Sequence, residues 1–246
     1  MDGILNLYKP PAMSSARALD RVREVFGKPK SGHAGTLDPL AEGVLVICLG
    51  RATKLVEALM DQPKVYRTVV QLDVTSPSFD RETIAAPVAV ASPPDQPRVA
   101  DMLRSLEGPS LQVPPAASAL KVRGQPAYKL SRAGRPPHLE PRPVHIYWTH
   151  IHRYEWPELD FELACGRGTY VRSIVRDIGE RLNTGACMMS LVRRAVGPFE
   201  IDGSWTLERL RAAGDAHEAI LPLEAARTQL ISRPVHIPER PWGPRP

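Results

Sequence analysis

Gly32-His33-Ala34-Gly35-Thr36-Leu37-Asp38-Pro39-Leu40-Ala41-Glu42-Gly43 runs straight into Val44-Leu45-Val46-Ile47-Cys48-Leu49-Gly50. The first part is a glycine-rich loop with one His and one Asp. The second is an unbroken apolar run closed by Gly, the pattern of a strand buried on both faces. A polar loop hung on a buried strand is a way to hold a reactive side chain still. Taken alone, an Asp between Leu37 and Pro39 also fits a turn in which the carboxylate bonds downstream N–H groups. The residues of the loop leave both readings open.

At 43% hydrophobic over 246 residues, the chain can bury a core as one large domain or two small ones. Its net charge of +5 fits a nucleic-acid partner without demanding one. Cys48, Cys165 and Cys187 lie far apart, with no Cys-x-x-Cys pair, which argues against a zinc site or a disulfide framework. Each sits in or beside an apolar run and reads as a small core residue in a reducing compartment. His145, His150 and His152 lack Cys or acids at ligand spacing, so no metal is expected. The N-terminus starts with an acid and has too short an apolar run for a signal peptide. No window is long enough to span a bilayer. The expectation is a cytoplasmic chain without a membrane partner.

Working outward, Gly3 to Leu7 reads as a strand stopped by Pro10 and Pro11. Ser14 or Ser15 caps a helix through Phe26, with Leu19, Val22 and Phe26 on one face. Arg17, Arg21 and Arg23 lie off that stripe. Ala52 to Met60 reads as one short helix. Lys64 to Val74 reads as a half-exposed strand with Tyr66, Thr68, Val70 and Leu72 on one face. Val99, Met102, Leu103 and Leu106 mark a helix stopped by Gly108-Pro109. Val144, Ile146 and Trp148, then Leu159, Phe161, Leu163 and Cys165, alternate as two strands. Thr169 is placed to cap a helix with the stripe Val171, Ile174, Val175, Ile178 and Leu182. An Arg in the first turn, as Arg172 is, opposes the helix dipole and therefore calls for a carboxylate; Asp38 is the expected one. Ala186 to Phe199 reads as a strand, Thr206 to Ala212 as a helix, and Leu221-Pro222-Leu223 as a terminal apolar anchor. From 121 to 143 the chain is basic and broken by Pro126, Gly134, Pro136 and Pro137. From 231 it is proline-rich.

The string from Gly32 to Leu45 resembles the active-site motif of the tRNA pseudouridine synthase B family. Lys9-Pro10 resembles that family's Lys-Pro motif, and Lys64-Val65-Tyr66-Arg67 its Lys-x-Tyr segment. Val113 to Lys121 is similar to its Pro-x-x-Ser-Ala-x-Lys stretch. Gly168-Thr169-Tyr170-Val171-Arg172 resembles its Gly-Thr-Tyr-Ile-Arg element. Leu191 and Arg193 match its Leu-Arg-Arg segment, where Val192 replaces the first Arg and Cys187 a preceding His. The chain departs from the family at Tyr8, normally Asp, and around Thr75, Pro77 and Asp80, where the family carries Thr-x-Thr-x-Asp.

The resemblance implies a mixed α/β pseudouridine synthase fold, a largely antiparallel central sheet flanked by helices with a basic insertion. Residues 1–230 form the catalytic domain, 121–143 a mobile segment that closes on RNA, and 231–246 a tail too short for the family's PUA domain. It implies that Asp38 is catalytic. The reaction breaks the ribose–uracil C–N bond and rejoins the base through carbon, so it needs an attacking carboxylate and no cofactor. Arg172 is expected to keep Asp38 ionised and aimed. The uridine must be flipped out of folded RNA and stacked, which falls to Tyr66 and Leu191. His33, Lys9, Tyr170 and Lys121 complete the expected substrate contacts. The expected substrate is the T-arm of tRNA, with its uridine at position 55, bound by a monomer. Three alternatives stay open: a member of the RNA-guided branch of the same superfamily, a synthase acting on another RNA, and a non-catalytic tRNA-folding module.

Overall fold

Val44, Val46 and Cys48 point to one side of their strand and Leu45, Ile47 and Leu49 to the other, and all six are fully buried. That alternation over two apolar faces is what an interior strand requires. The strand is Glu42–Leu49 in a computed structural model that describes residues 1–232 other than 84, 117, 119, 123 and 136. Arg123 and the proline-rich tail beyond Ser232 thus lie outside the described residues, as do the side chains of Lys121, Pro126, Tyr128, Arg132, Ile231 and Ser232. The chain divides into two compact units, Met1–Arg67 with the chain from Leu191 onward, and Thr68–Ser190.

In the first unit, Glu42–Leu49 pairs antiparallel with Gly3–Lys9, from Gly3↔Leu49 to Lys9↔Gly43. Gly3–Lys9 pairs in turn with Ile220–Pro222. On the other side Glu42–Leu49 runs parallel to the C-terminal half of Ala186–Val196, Glu42 opposite Val192. The short strand Ser31–His33 pairs with the end of Glu42–Leu49, so the glycine-rich loop leaves and returns on neighbouring strands. One face of this sheet packs on Ala18 and Val22 of the helix Ser15–Val25 and on Leu207 and Leu210 of the helix Leu207–Ala212. The other packs on Ala52, Leu59 and Leu223, Ala226 and Leu230 of the helix Leu223–Ser232. The expected helix over Ala52–Met60 is instead a 3₁₀ turn, Gly50–Leu55, followed by a one-and-a-half-turn helix, Val56–Asp61. The Thr53 hydroxyl donates to Gly50 O at 2.8 Å and competes with regular α-helical bonding there. The terminal anchor at Leu221–Leu223 extends into a strand and a helix, because Leu221 and Leu223 both join the apolar layer on the first strand.

In the second unit, Gly108–Gln112, Arg142–Glu155 and Glu158–Cys165 follow one another antiparallel. The strand predicted over Lys64–Val74 ends at Gln71, and a separate strand, Val74–Asp80, follows. It runs parallel to the start of Ala186–Val196, with Ala186 opposite Thr75. The helix Gln96–Arg104 is capped by Asp95, whose carboxylate accepts from Arg98 N. The helix Val171–Leu182 buries the predicted stripe in full. It starts one residue later than expected: Tyr170 is the N-cap, and the Thr169 hydroxyl donates back to Gly166 O at 3.1 Å instead of capping. The basic insertion carries its own hairpin, Lys121–Val122 with Gln125–Pro126, and a helix, Ala127–Arg132. The strands of this mixed α/β fold pair mainly antiparallel, and among the described residues no helix is long and apolar enough to cross a membrane.

Candidate active site

The Asp38 loop is held by side chains that reach it from three other elements of the first unit. The Ser15 hydroxyl, 2% exposed, brackets Leu37: it accepts from Leu37 N at 2.8 Å and donates to Leu37 O at 2.9 Å. The sequence offered Ser14 or Ser15 as the helix cap; Ser14 caps, which leaves Ser15 for the loop. Asp38 is half-buried, and its main-chain carbonyl accepts from Ala41 N at 3.1 Å, closing the turn through backbone.

Beneath the loop lie two fully buried cations. Lys9 Nζ donates to Pro10 O at 2.8 Å, Met13 O at 2.7 Å and, more weakly, Pro39 O at 3.4 Å. Arg193 donates through Nε to Val44 O at 2.7 Å, through Nη2 to Gly35 O at 3.0 Å and through Nη1 to Thr36 O at 3.5 Å. Burial and the neighbouring Arg193 charge push the Lys9 ammonium down to about 8, while Asp38 and Glu42 pull it the other way. Burial, then Arg193, also lowers His33, so its imidazole is neutral at neutral pH. His33 Nδ1 is buried without a hydrogen-bond partner among the described residues. Tyr8, where the family carries Asp, donates to Glu42 Oε2 at 2.6 Å, and burial with that carboxylate pushes its phenol up to about 12. Tyr66 is half-buried on Lys64–Gln71, and Leu191 is 8% exposed on Ala186–Val196.

Arg172 belongs to the second unit, and the carboxylate found for it there is Asp80. Both are buried, with Nε 3.6 Å from Oδ2. Asp80 is itself pinned through Oδ1, which accepts from Ser78 Oγ at 2.6 Å and Glu82 N at 2.9 Å. The charge that sets Arg172 against its helix dipole is thereby answered. Tyr170, just before it, is fixed through its backbone: Gln112 accepts from Tyr170 N at 2.9 Å and donates to Tyr170 O at 3.2 Å. A cleft of about 360 Å³ opens between Pro77, Ser78, Phe79, Val113, Leu139 and Arg176, mostly apolar with one guanidinium.

Lys9, His33 and the Asp38 loop are thus brought together, with Arg193 joining them. The motif match names Arg193 without a role, and in the sequence Asp80 appears only where the chain departs from the family pattern. The available signal was the period of the strand, which sets Arg193 on the same face as Leu191 and Ala195, both buried, while Arg194 beside it is exposed. Lys121 is placed on its hairpin by its backbone alone.

Two family sequence models match, "TruB family pseudouridylate synthase (N terminal domain)" over residues 23–171 and "tRNA pseudouridylate synthase B C-terminal domain" over residues 172–227. The chain is 41% identical over 217 residues to tRNA pseudouridine synthase B of Sodalis glossinidius, covering 88% of this chain and 70% of that one. It is 37% identical over 236 residues to the protein of that name from Bordetella avium, covering 94% and 96%. Among solved structures, a Cbf5–Nop10–Gar1 complex includes a chain that superposes with a TM-score of 0.71 at 27% identity, covering 92% of this chain and 62% of that one. An H/ACA RNP bound to a substrate RNA containing 2′-deoxyuridine gives 0.68 at 25% identity, with 92% and 61% covered. This chain therefore spans less than two thirds of the length of those solved chains. Loop motif, fold and relatives agree, and the chain belongs to the TruB family of pseudouridylate synthases, enzymes that convert uridine in RNA to pseudouridine.

Proposed function

We propose that this enzyme isomerises the T-loop uridine of tRNA, at position 55, with Asp38 as the nucleophile on a flipped-out base. The observation that carries the proposal is the bracing of the Asp38 loop by Ser15, Lys9 and Arg193. Attack on the ribose anomeric carbon or the uracil ring requires a carboxylate held at a fixed position, and this bracing supplies the hold, with the Lys9 ammonium near enough to feel the Asp38 charge. The reaction balances within one nucleotide: the bond from the anomeric carbon to N1 breaks, the base turns, the bond to C5 forms, and the C5 proton leaves as N1 gains one. No oxidant or reductant enters that balance.

Tyr66 and Leu191 are assigned to holding the extruded base, one by its ring and one by its apolar branch; stacking is worth about 1–3 kcal/mol, comparable with the unstacking it offsets. Neutral His33 suits the space that the base vacates, since an uncharged ring costs little beside Arg193. Arg172 is assigned to the same chemistry on its motif, its burial and its anchoring by Asp80. Tyr170 and Lys121 are assigned to the RNA. The enzyme is proposed to act as a cytoplasmic monomer on the T-arm.

The test is Asp38→Asn with unmodified tRNA transcript tritiated at uracil C5. The variant is expected to bind the transcript as tightly as the parent chain and to release no tritium. Normal release would remove Asp38 from the chemistry. Mapping the parent chain's product to a nucleotide separates the T-loop from another RNA site, and no product at all would favour a folding module. A double-mutant cycle of Asp38→Asn and Arg172→Lys should be strongly non-additive if the two residues act as a unit.

A further inference from the structure

We propose that Arg193 is the positioning residue of the nucleophile loop: its guanidinium clamps the loop's two ends together and so fixes where the Asp38 carboxylate points. This rests on the reading of Asp38 as the nucleophile.

The geometry is unusual for an arginine. Arg193 is 1% exposed and one of the largest fully buried side chains. Among the described residues it makes no ion pair with a carboxylate; its three hydrogen bonds there go to main-chain carbonyls. Gly35 and Thr36 lie before Asp38 and Val44 after it, so one planar group spans the loop from entrance to exit. The main chain of Arg193 also lies against the exit, opposite Gly43 in a parallel register. Gly35 has φ +98°, and a Cβ there would come within 3.7 Å of Nη1, so the loop backbone passes close over the guanidinium.

Burying a guanidinium with no ion-pair partner among the described residues costs desolvation that an apolar side chain of the same volume would avoid. What the guanidinium adds is a rigid fork, already shaped to meet several acceptors at once. Its burial and its occupied donors keep it from touching RNA, so it acts through the loop. Lys9 cannot substitute. Its two short bonds stay near its own strand end, and only the 3.4 Å contact to Pro39 O reaches the loop. Reacting groups displaced by about 1 Å lose on the order of a hundredfold in rate. A loosened clamp should therefore appear in the chemical step.

The experiment compares Arg193→Lys, Arg193→Met and Asp38→Asn with the parent chain on unmodified tRNA transcript. It reads the single-turnover rate at saturating tRNA, the Kd for tRNA, the thermal midpoint, and amide exchange of residues 35–44. For Arg193→Lys, which keeps the charge and loses the fork, the rate should fall about ten- to a hundredfold. Its Kd should stay within about twofold, and exchange at residues 35–44 should quicken while the rest of the first unit keeps its protection. Arg193→Met should be worse in rate; if it does not fold, Arg193→Lys alone decides. A wild-type rate in folded Arg193→Lys, or a loss that only follows Kd or the folded fraction, overturns the proposal. Full activity in Asp38→Asn instead overturns the reading of the nucleophile and takes this inference with it. An inactive Asp38→Asn beside a fully active Arg193→Lys overturns this inference alone.

Discussion

Lys9 shows how far burial has been carried to hold one loop. Its ammonium titrates at about 8 in the fold against an ordinary value of 10.5, with burial the main cause and Arg193 the next. A cation whose folded pKa lies below its unfolded one weakens the fold while it is charged. Between pH 8 and 10.5 the unfolded chain keeps a proton that the folded chain has released, so stability must rise with pH across that window. The full effect is roughly 3 kcal/mol. Urea titrations at pH 7.5, 9 and 10 should show the parent chain gaining stability relative to Lys9→Met, and a constant difference would mean that Lys9 is not desolvated. Asp80 poses a sharper question in the second unit. Asp80→Asn keeps an acceptor for Ser78 and Glu82 N but removes the negative charge that Asp80 sets beside the buried Arg172 guanidinium. Removing one partner of a buried pair costs about 3–5 kcal/mol. Asp80→Asn should lower the midpoint of unfolding, and its activity on tRNA should fall even where it is fully folded. Wild-type turnover in the folded variant would confine the pair to a structural role.

Gly43 joins the loop to the strand Glu42–Leu49, and the junction depends on the absence of a side chain. Its φ is +102°, and a Cβ there would meet Arg193 O and lie 2.9 Å from Arg193 N and 3.0 Å from Arg193 C. The obstacle is backbone in a paired strand, which cannot move aside. Gly43→Ala should therefore cost about 2–4 kcal/mol and shift the loop, lowering activity beyond the loss of folded chain. Gly35→Ala, with an ordinary 3.7 Å contact to Arg193 Nη1 and the φ penalty, should cost about 1 kcal/mol. Equal midpoints for the two variants would show that close approach to Arg193 does not govern the junction. At this scale much was legible beforehand. The two-faced apolar run at 44–49, the capped helix at Ser15 and the stripe of Val171–Leu182 are patterns of side-chain periodicity, which sequence displays directly. What was not legible depends on partners distant in the chain. Ser31–His33 is a strand only because Glu42–Leu49 lies beside it. Gly108–Gln112, with Pro109 and exposed Ser110 and Leu111, carries no strand period and is one because Arg142–Ile146 pairs with it. The same limit applied to the site. Asp38, Tyr66 and Arg172 stood out through local motifs, whereas the Arg193 clamp joins residues 149 to 158 positions apart.

Charge belongs to the whole molecule, and the net +5 says less about RNA affinity than the placement of the cations does. Many arginines are already answered on their own elements. Arg21 pairs with Glu24, Arg23 with Asp20, Arg104 with Asp101 and Arg153 with Glu155, all between exposed groups that solvent screens. Lys9 and Arg193 are at the other extreme, buried and occupied. Only the remaining exposed cations are left to neutralise phosphate. Each phosphate neutralised lowers log K by about 0.7–0.9 per decade of salt. With about three contacts, affinity for tRNA should fall a few tens of fold between 50 and 200 mM salt. The chemical step should behave differently. The cations behind Asp38 are shielded from the ions that screen surface charge over about 10 Å. Single-turnover rates at saturating tRNA should therefore stay level while Kd climbs. A rate that falls in step with affinity would place the decisive charges at the surface, and the buried pair would then be holding the loop without tuning its acid.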